Sequence, residues 1–250
     1  MLKSRIISSI VFNGRTIVRG KDFINNRPVG SLIQQVKIYN LREIDELIIY
    51  NINNTPLSIN NLKNISKSCF MPLSVGGSIR KMEDIETLLT NGADKVILNS
   101  ACSEDKYFLE NAVSHFGSQA ISVGIDFKKT QRGLKHYINN GTEETGRDLL
   151  SWCREVEALG AGEIIITCID KDGRQLGYNV EDSVSLVGES NVPIVISGGA
   201  GELEDFNKAL STKHIDAVCA SSFYLFNKYT PADVKAFLSQ KGFSVRDSLI

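Results

Sequence analysis

The chain has 250 residues, 42% of them hydrophobic and 23% charged, which is enough to bury a large core, and its formal net charge is −1. That balance excludes a nucleic-acid binder working through bulk positive charge, so any phosphate site must be built locally. Five cysteines (Cys69, Cys102, Cys153, Cys168 and Cys219) never form a C-x-x-C spacing, which argues against a zinc site or disulfide framework and predicts reduced, mostly buried thiols.

The first predicted strand lies in "RIISSIVFNG" (5–14), with a cation at its entrance, a turn signal at its exit and no acid, base or nucleophile at its end. Apolar, β-branched runs cover 6–12 and recur at 47–50, 72–75, 96–98, 120–125, 164–169, 193–196 and 217–220. Eight short runs without strict polar alternation predict a parallel sheet buried on both faces. Helical patterns separate them, and two match: apolar residues fall at Met82, Ile85, Leu88 and Leu89, and again at Leu203, Phe206, Ala209 and Leu210. Gly76-Gly77 and Gly198-Gly199 lie 122 residues apart, as do Asp94 and Asp216 before the following strands. The alternation and internal repeat predict an α/β fold, a single (β/α)8 TIM barrel over 1–250 made from two similar half-barrels. An open doubly wound sheet is the competing architecture. No run reaches the length of a membrane span and no signal-like apolar region is present, so a cytoplasmic protein without membrane contact is expected.

Arg5, Glu46, Lys95 and Glu163 each immediately precede or open an apolar run. Two cations and two anions at strand entrances are ordinarily solvated; pointing inward, they would form a salt-bridged layer able to serve as a gate. Gly77-Ser78 and Gly198-Gly199 lie in strand-to-helix loops where backbone N–H groups can approach an anion, and small polar exits follow the next strands, Asn99-Ser100 and Ser221-Ser222. Two such cradles imply a ligand with a phosphate at each end; tight turns copied by duplication are the plainer reading. Asp126 closes "AISVGID", while Asp170 and Asp172 lie in "CIDKDGRQLGY" with Gly173 and Gly177. Carboxylates at strand exits suit acid–base work, although Asp172-Gly173 is also a turn dipeptide. Arg15, Arg19 and Lys21 could fold over an anion or form a solvated face. No histidine has an acid or serine at triad spacing, no metal-ligand cluster is present, and no cofactor is expected.

Read together, "RII" (5–7), "IDEL" (44–47), "SVGGSI" (74–79), "GADKVILNSA" (92–101), "FGSQA" (116–120), "GAGEIIITCIDKDGRQLGY" (160–178) and "ISGGAGELEDF" (196–206) resemble the HisF family, the cyclase subunits of imidazole glycerol phosphate synthase. The likeness runs in order along essentially the whole chain. It implies a heterodimer with a HisH-type glutaminase, whose ammonia enters the barrel at one end and meets a bisphosphorylated ribotide at the other. On that resemblance Arg5, Glu46, Lys95 and Glu163 form the ammonia gate, and Asp94 and Gln119 face the glutaminase. Asp126 would be one catalytic acid, and in a true cyclase a neighbouring carboxylate such as Asp170 would substitute for the other. Arg19, Gly77, Ser78, Asn99, Ser100, Thr167, Gly173, Gly177, Gly198, Gly199, Ser221 and Ser222 would hold phosphate and substrate.

The chain departs from the family where chemistry is expected. Val11 stands in place of a catalytic aspartate, Asn51 in place of a further acid, Ser78 in place of a glycine and Arg19 in place of a lysine. Valine transfers no proton, so half of an acid–base pair is absent. An apolar residue at that position is similar to the second HisF-like group, associated with acetamidino sugars of surface polysaccharides. A true cyclase of histidine biosynthesis and a non-catalytic ammonia-conducting scaffold are the alternatives.

Overall fold

A computed structural model describes residues 3–188 and 190–246. Each predicted apolar run forms a strand: β1 (Arg5–Phe12), β2 (Glu46–Asn51), β3 (Leu73–Gly76), β4 (Lys95–Leu98), β5 (Ile121–Thr130), β6 (Glu163–Cys168), β7 (Ile194–Ser197) and β8 (Ala217–Ala220). Neighbours pair in parallel, and β1 pairs with both β2 and β8, so that Ile7 lies opposite Glu46 on one side and Cys219 on the other. The sheet is therefore a closed eight-stranded parallel barrel with helices around it, the (β/α)8 architecture, and the open doubly wound alternative is excluded.

The side-chain period of a strand divides the apolar residues into two bodies. Ile6, Ile10, Leu47, Ile49, Val75, Val96 and their equivalents pack outward against the helices in the main core. The alternate residues Ile7, Ile48, Ile97, Ile165, Val195, Ala217 and Cys219 form a separate cluster inside the barrel, with Tyr50 packed against it. Runs buried on both faces have no reason to alternate with polar residues, which is why they read as continuous.

The matched helical patterns are the helices Met82–Thr90 and Leu203–Leu210, and both start in the same way. Asp84 accepts the N–H groups of Arg80 and Lys81 at 2.9 and 3.0 Å, and Asp205 accepts those of Gly201 and Glu202 at 2.9 and 2.8 Å. Such bonds satisfy amides that a helix N-terminus leaves unpaired. Asp94 accepts from the Leu73 N–H at 2.8 Å and Asp216 from the Ile194 N–H at 2.9 Å, so the repeat extends to the strand entrances.

Two excursions were not anticipated from the sequence. Strands Ile17–Lys21 and Ile24–Gly30 make an antiparallel hairpin after β1, and β5 continues into Gly133–Ile138 and Glu143–Glu144. Both rise from the end of the barrel at which the strands finish. None of the helices among the described residues is long and apolar enough to cross a membrane.

Candidate functional site at the two ends of the barrel

The inward positions stack in three storeys. At the strand entrances, Arg5 Nη1 lies 2.9 Å from Glu46 Oε1 and 2.6 Å from Glu163 Oε2, while Lys95 Nζ lies 3.5 Å from Glu46 Oε2 and 3.4 Å from Glu163 Oε1. Each cation thus touches both anions, and the four residues close into a ring. Ser122 was not singled out in the sequence, yet its hydroxyl donates to Glu163 at 3.2 Å, from an inward position of β5. Burial works to lower the Arg5 pKa, but the Glu163 and Glu46 charges outweigh it and hold the guanidinium more firmly protonated. Asp94 and Gln119 lie at this same end, both exposed, with Asp94 also bonded to β3 as described.

Above the ring is the inner apolar cluster, and above that a cavity of about 520 Å³ opens where the strands end. Among the predicted residues, Arg19, Gly77, Ser78, Asn99, Ser100, Asp126 and Thr167 line it. Val11 and Tyr50, opposite each other in the β1–β2 register, lie on its wall with Asn51 and Asp172. Asn99 Nδ2 donates to Asp126 Oδ2 at 2.7 Å. Burial pushes the Asp126 carboxyl up to about 7, and the Asp172 charge adds to it against the hydrogen bonds from Asn99 and Thr167. A carboxyl poised there can hold or release a proton at neutral pH.

The first glycine loop has no space for a side chain at Gly77, where a Cβ would run into the Asn51 carbonyl. Ser78 follows it at φ +57°, a conformation that costs a non-glycine residue about 1 kcal/mol or more. Its hydroxyl donates to the Asn53 carbonyl and is thereby tied to the protein. Gly173, Gly198, Gly199, Ser221 and Ser222 surround a second, much smaller recess, which Arg19 also lines. Gly177 lines neither space: its N–H donates to the Gly199 carbonyl at 2.9 Å and so supports the second loop from behind.

Asp170 and Asp172 exchange their expected places. The Asp170 carboxylate accepts the Lys129 N–H at 2.7 Å and does not line the cavity, because the 3-10 turn Ile169–Lys171 rotates the chain after β6. That turn carries Asp172 inward, where its Oδ1 pairs with Arg19 Nη2 at 2.7 Å with both side chains buried. Proximity in sequence to a strand end located the loop, and the turn decides which of its two carboxylates lines the cavity.

No group of three or more histidine, cysteine, aspartate or glutamate residues among the described residues is arranged to hold a metal ion. The family model described as "Histidine biosynthesis protein" matches residues 5–230. A protein of Dehalococcoides mccartyi called imidazole glycerol phosphate synthase subunit HisF is 38% identical over 250 residues, covering 98% of this chain and 99% of its own. A protein of the same name from Dictyoglomus thermophilum is 40% identical over 253 residues, and one from Clostridium botulinum is 35% identical over 252, each with 98% of this chain covered and 99% or more of its own.

Proposed function

Since this chain belongs to the HisF family of imidazole glycerol phosphate synthase barrels, we propose that it is the barrel subunit of a glutamine amidotransferase that has moved to an acceptor other than the family's ribotide. Ammonia from a HisH-type glutaminase enters through the ring of Arg5, Glu46, Lys95 and Glu163 and is delivered to the cavity at the strand ends. The acceptor belongs to acetamidino-sugar assembly for a surface glycan. The observation that carries the reading is the pairing of a closed charged ring with a cavity wall whose β1 position is Val11.

In mechanism, ring and cavity divide the work. The ring orders charge at the entrance, with both of its carboxylates paired to both of its cations. Asp126, held to about 7 mainly by burial, is the group able to exchange a proton with a bound amine or its acceptor. Asn99 fixes its orientation through the 2.7 Å bond. Opposite it, Val11 and Tyr50 offer no second carboxylate.

A second reading, cyclisation of the ribotide itself, is favoured by one observation: Asp172 lines the same cavity as Asp126 and raises its pKa. The test is imidazole glycerol phosphate formation by the purified chain with the bisphosphorylated ribotide and excess ammonium salt. The proposal expects turnover lower by orders of magnitude than that of a barrel with both carboxylates. Turnover at an ordinary enzymatic rate would return the chain to histidine biosynthesis and show that Asp172 does the work of the missing acid.

A further inference from the structure

The two halves match in sequence, but the spaces in front of their glycine loops do not. The first loop opens into the cavity of about 520 Å³, whereas the recess at the second measures about 10 Å³, room for about one water molecule. A phosphate group is several times larger. The Arg19 side chain lines both spaces.

We infer that Arg19 closes the second loop as a built-in occupant, so that the barrel takes a ligand bearing one phosphate, held at the first loop. The inference rests on the reading that the cavity receives a phosphorylated molecule, and it narrows that molecule's class. The Arg19 Nε donates to Ser222 Oγ at 2.7 Å and Nη2 to Asp172 Oδ1 at 2.7 Å. Only 8% of either side chain in the ion pair is exposed, and removing the guanidinium would strand a buried carboxylate beside the loop. That carboxylate would itself repel an arriving anion.

The strand bearing Arg19 is fastened as well. The Asp22 N–H donates to the Asp172 carbonyl at 3.0 Å, and Arg174 Nε donates to Asp22 Oδ1 at 2.7 Å. Ser221 Oγ, buried without a partner in the same recess, fits the single water the space allows.

The first loop is built differently. Ser100, the counterpart of Ser222, accepts the Asn139 N–H at 3.1 Å and meets no cation. The nearby Arg80 lines the cavity but is half exposed, pairs with Glu104 at 2.7 Å and donates to Asn139 Oδ1 at 3.1 Å. Asn99 lines the cavity with its Nδ2 committed to Asp126 and its Oδ1 buried without a partner. From a phosphate at this loop, the rest of the ligand would extend toward Val11, Tyr50 and Asp126. Its far end therefore carries no second phosphate.

The experiment is a titration of the full chain with inorganic phosphate, followed by amide-resolved NMR. Saturable shifts at Gly77, Ser78 and Ser100, with Gly198, Gly199 and Ser222 unmoved, are expected. Shifts at both loops, or at neither, would overturn the inference. In the double variant Arg19→Ala/Asp172→Asn, which removes the pair together, a second set of shifts at Gly198 and Gly199 is expected; a folded variant without them would overturn the role of Arg19. The first arm decides between one site and two even if the double variant does not fold. Neither arm involves ammonia, a glutaminase or turnover, so a failure here is separate from a failure of the amidotransferase reading.

Discussion

Asp126, Asp170 and Asp172 show what a local sequence pattern carries. An acid directly after an apolar run, as in "AISVGID", marks a cavity carboxyl because the strand continues through it and its period sets the direction. After β6 a 3-10 turn intervenes, and the period no longer applies, so Asp172 takes the position expected of Asp170. Tyr50 was equally hidden: in "ELIIYN" it reads as one more core residue, yet it forms cavity wall. The chemistry of the site follows from these placements. We expect the Asp126 carboxyl to titrate near 7 in a carbon-detected NMR experiment. In Asp172→Asn the midpoint should move down, since a like charge is removed and Arg19 loses its partner. An unchanged midpoint would show that the two carboxylates do not sense each other.

At the scale of the element, strands were legible and hairpins were not. The eight barrel strands are runs whose two faces are both buried, a signal that survives without knowledge of neighbours. The strand Ile24–Gly30 is mostly exposed and polar, and its conformation is imposed by its partner Ile17–Lys21. The extension at Gly133–Ile138 has a similar origin, but it carries one buried titratable group. His136 lies beside Trp152, with ring centroids 6.2 Å apart, and burial followed by the Arg147 charge lowers its pKa to about 4. The native ring therefore stays neutral at pH values where the unfolded chain, titrating near 6.5, has taken up a proton. Stability from this group is lost as the pH falls from about 6.5 to 4. Replacing it, His136→Phe, should remove that loss, so that Tm of the variant rises relative to the unmodified chain as the pH falls from about 6.5 to 4; an unaltered profile would mean that the ring is protonated in place.

For the molecule as a whole, the two buried groups oppose each other. The native Asp126 retains a proton up to about 7 that the unfolded chain releases near 3.8, so its contribution to stability falls as the pH rises through that window. His136 acts in the other direction over most of the same range, and the pH profile of the intact chain should be shallow there. Asp126→Asn ought to expose the loss on acidification, measured as Tm between pH 4 and 7, and an equally shallow profile in the variant would remove the compensation. The charged ring also belongs to this scale, because its members come from four different strands. Lys95→Ala leaves two carboxylates sharing Arg5 and should cost about 1–3 kcal/mol, between surface and fully buried pairs. With a glutaminase partner bound, we expect it to separate glutamine hydrolysis from delivery of ammonia to the cavity, read as glutamate formed per product; a ratio equal to that of the unmodified chain would remove the gate assignment. The ring's composition was legible as charges at strand entrances. Its closure was not, because contact across a barrel depends on strand order and stagger.

A barrel whose first strand is paired on both sides offers no unsatisfied ladder of N–H and C=O groups along its wall. Another chain cannot extend this sheet by adding a strand to the barrel itself. The outermost strand of the hairpin, Ile24–Gly30, is the open margin nearest the cavity, and Pro28 removes a donor from it. The closed wall itself thus offers no templating edge, and sheet-to-sheet aggregation of the folded chain could start only from the short strands outside it.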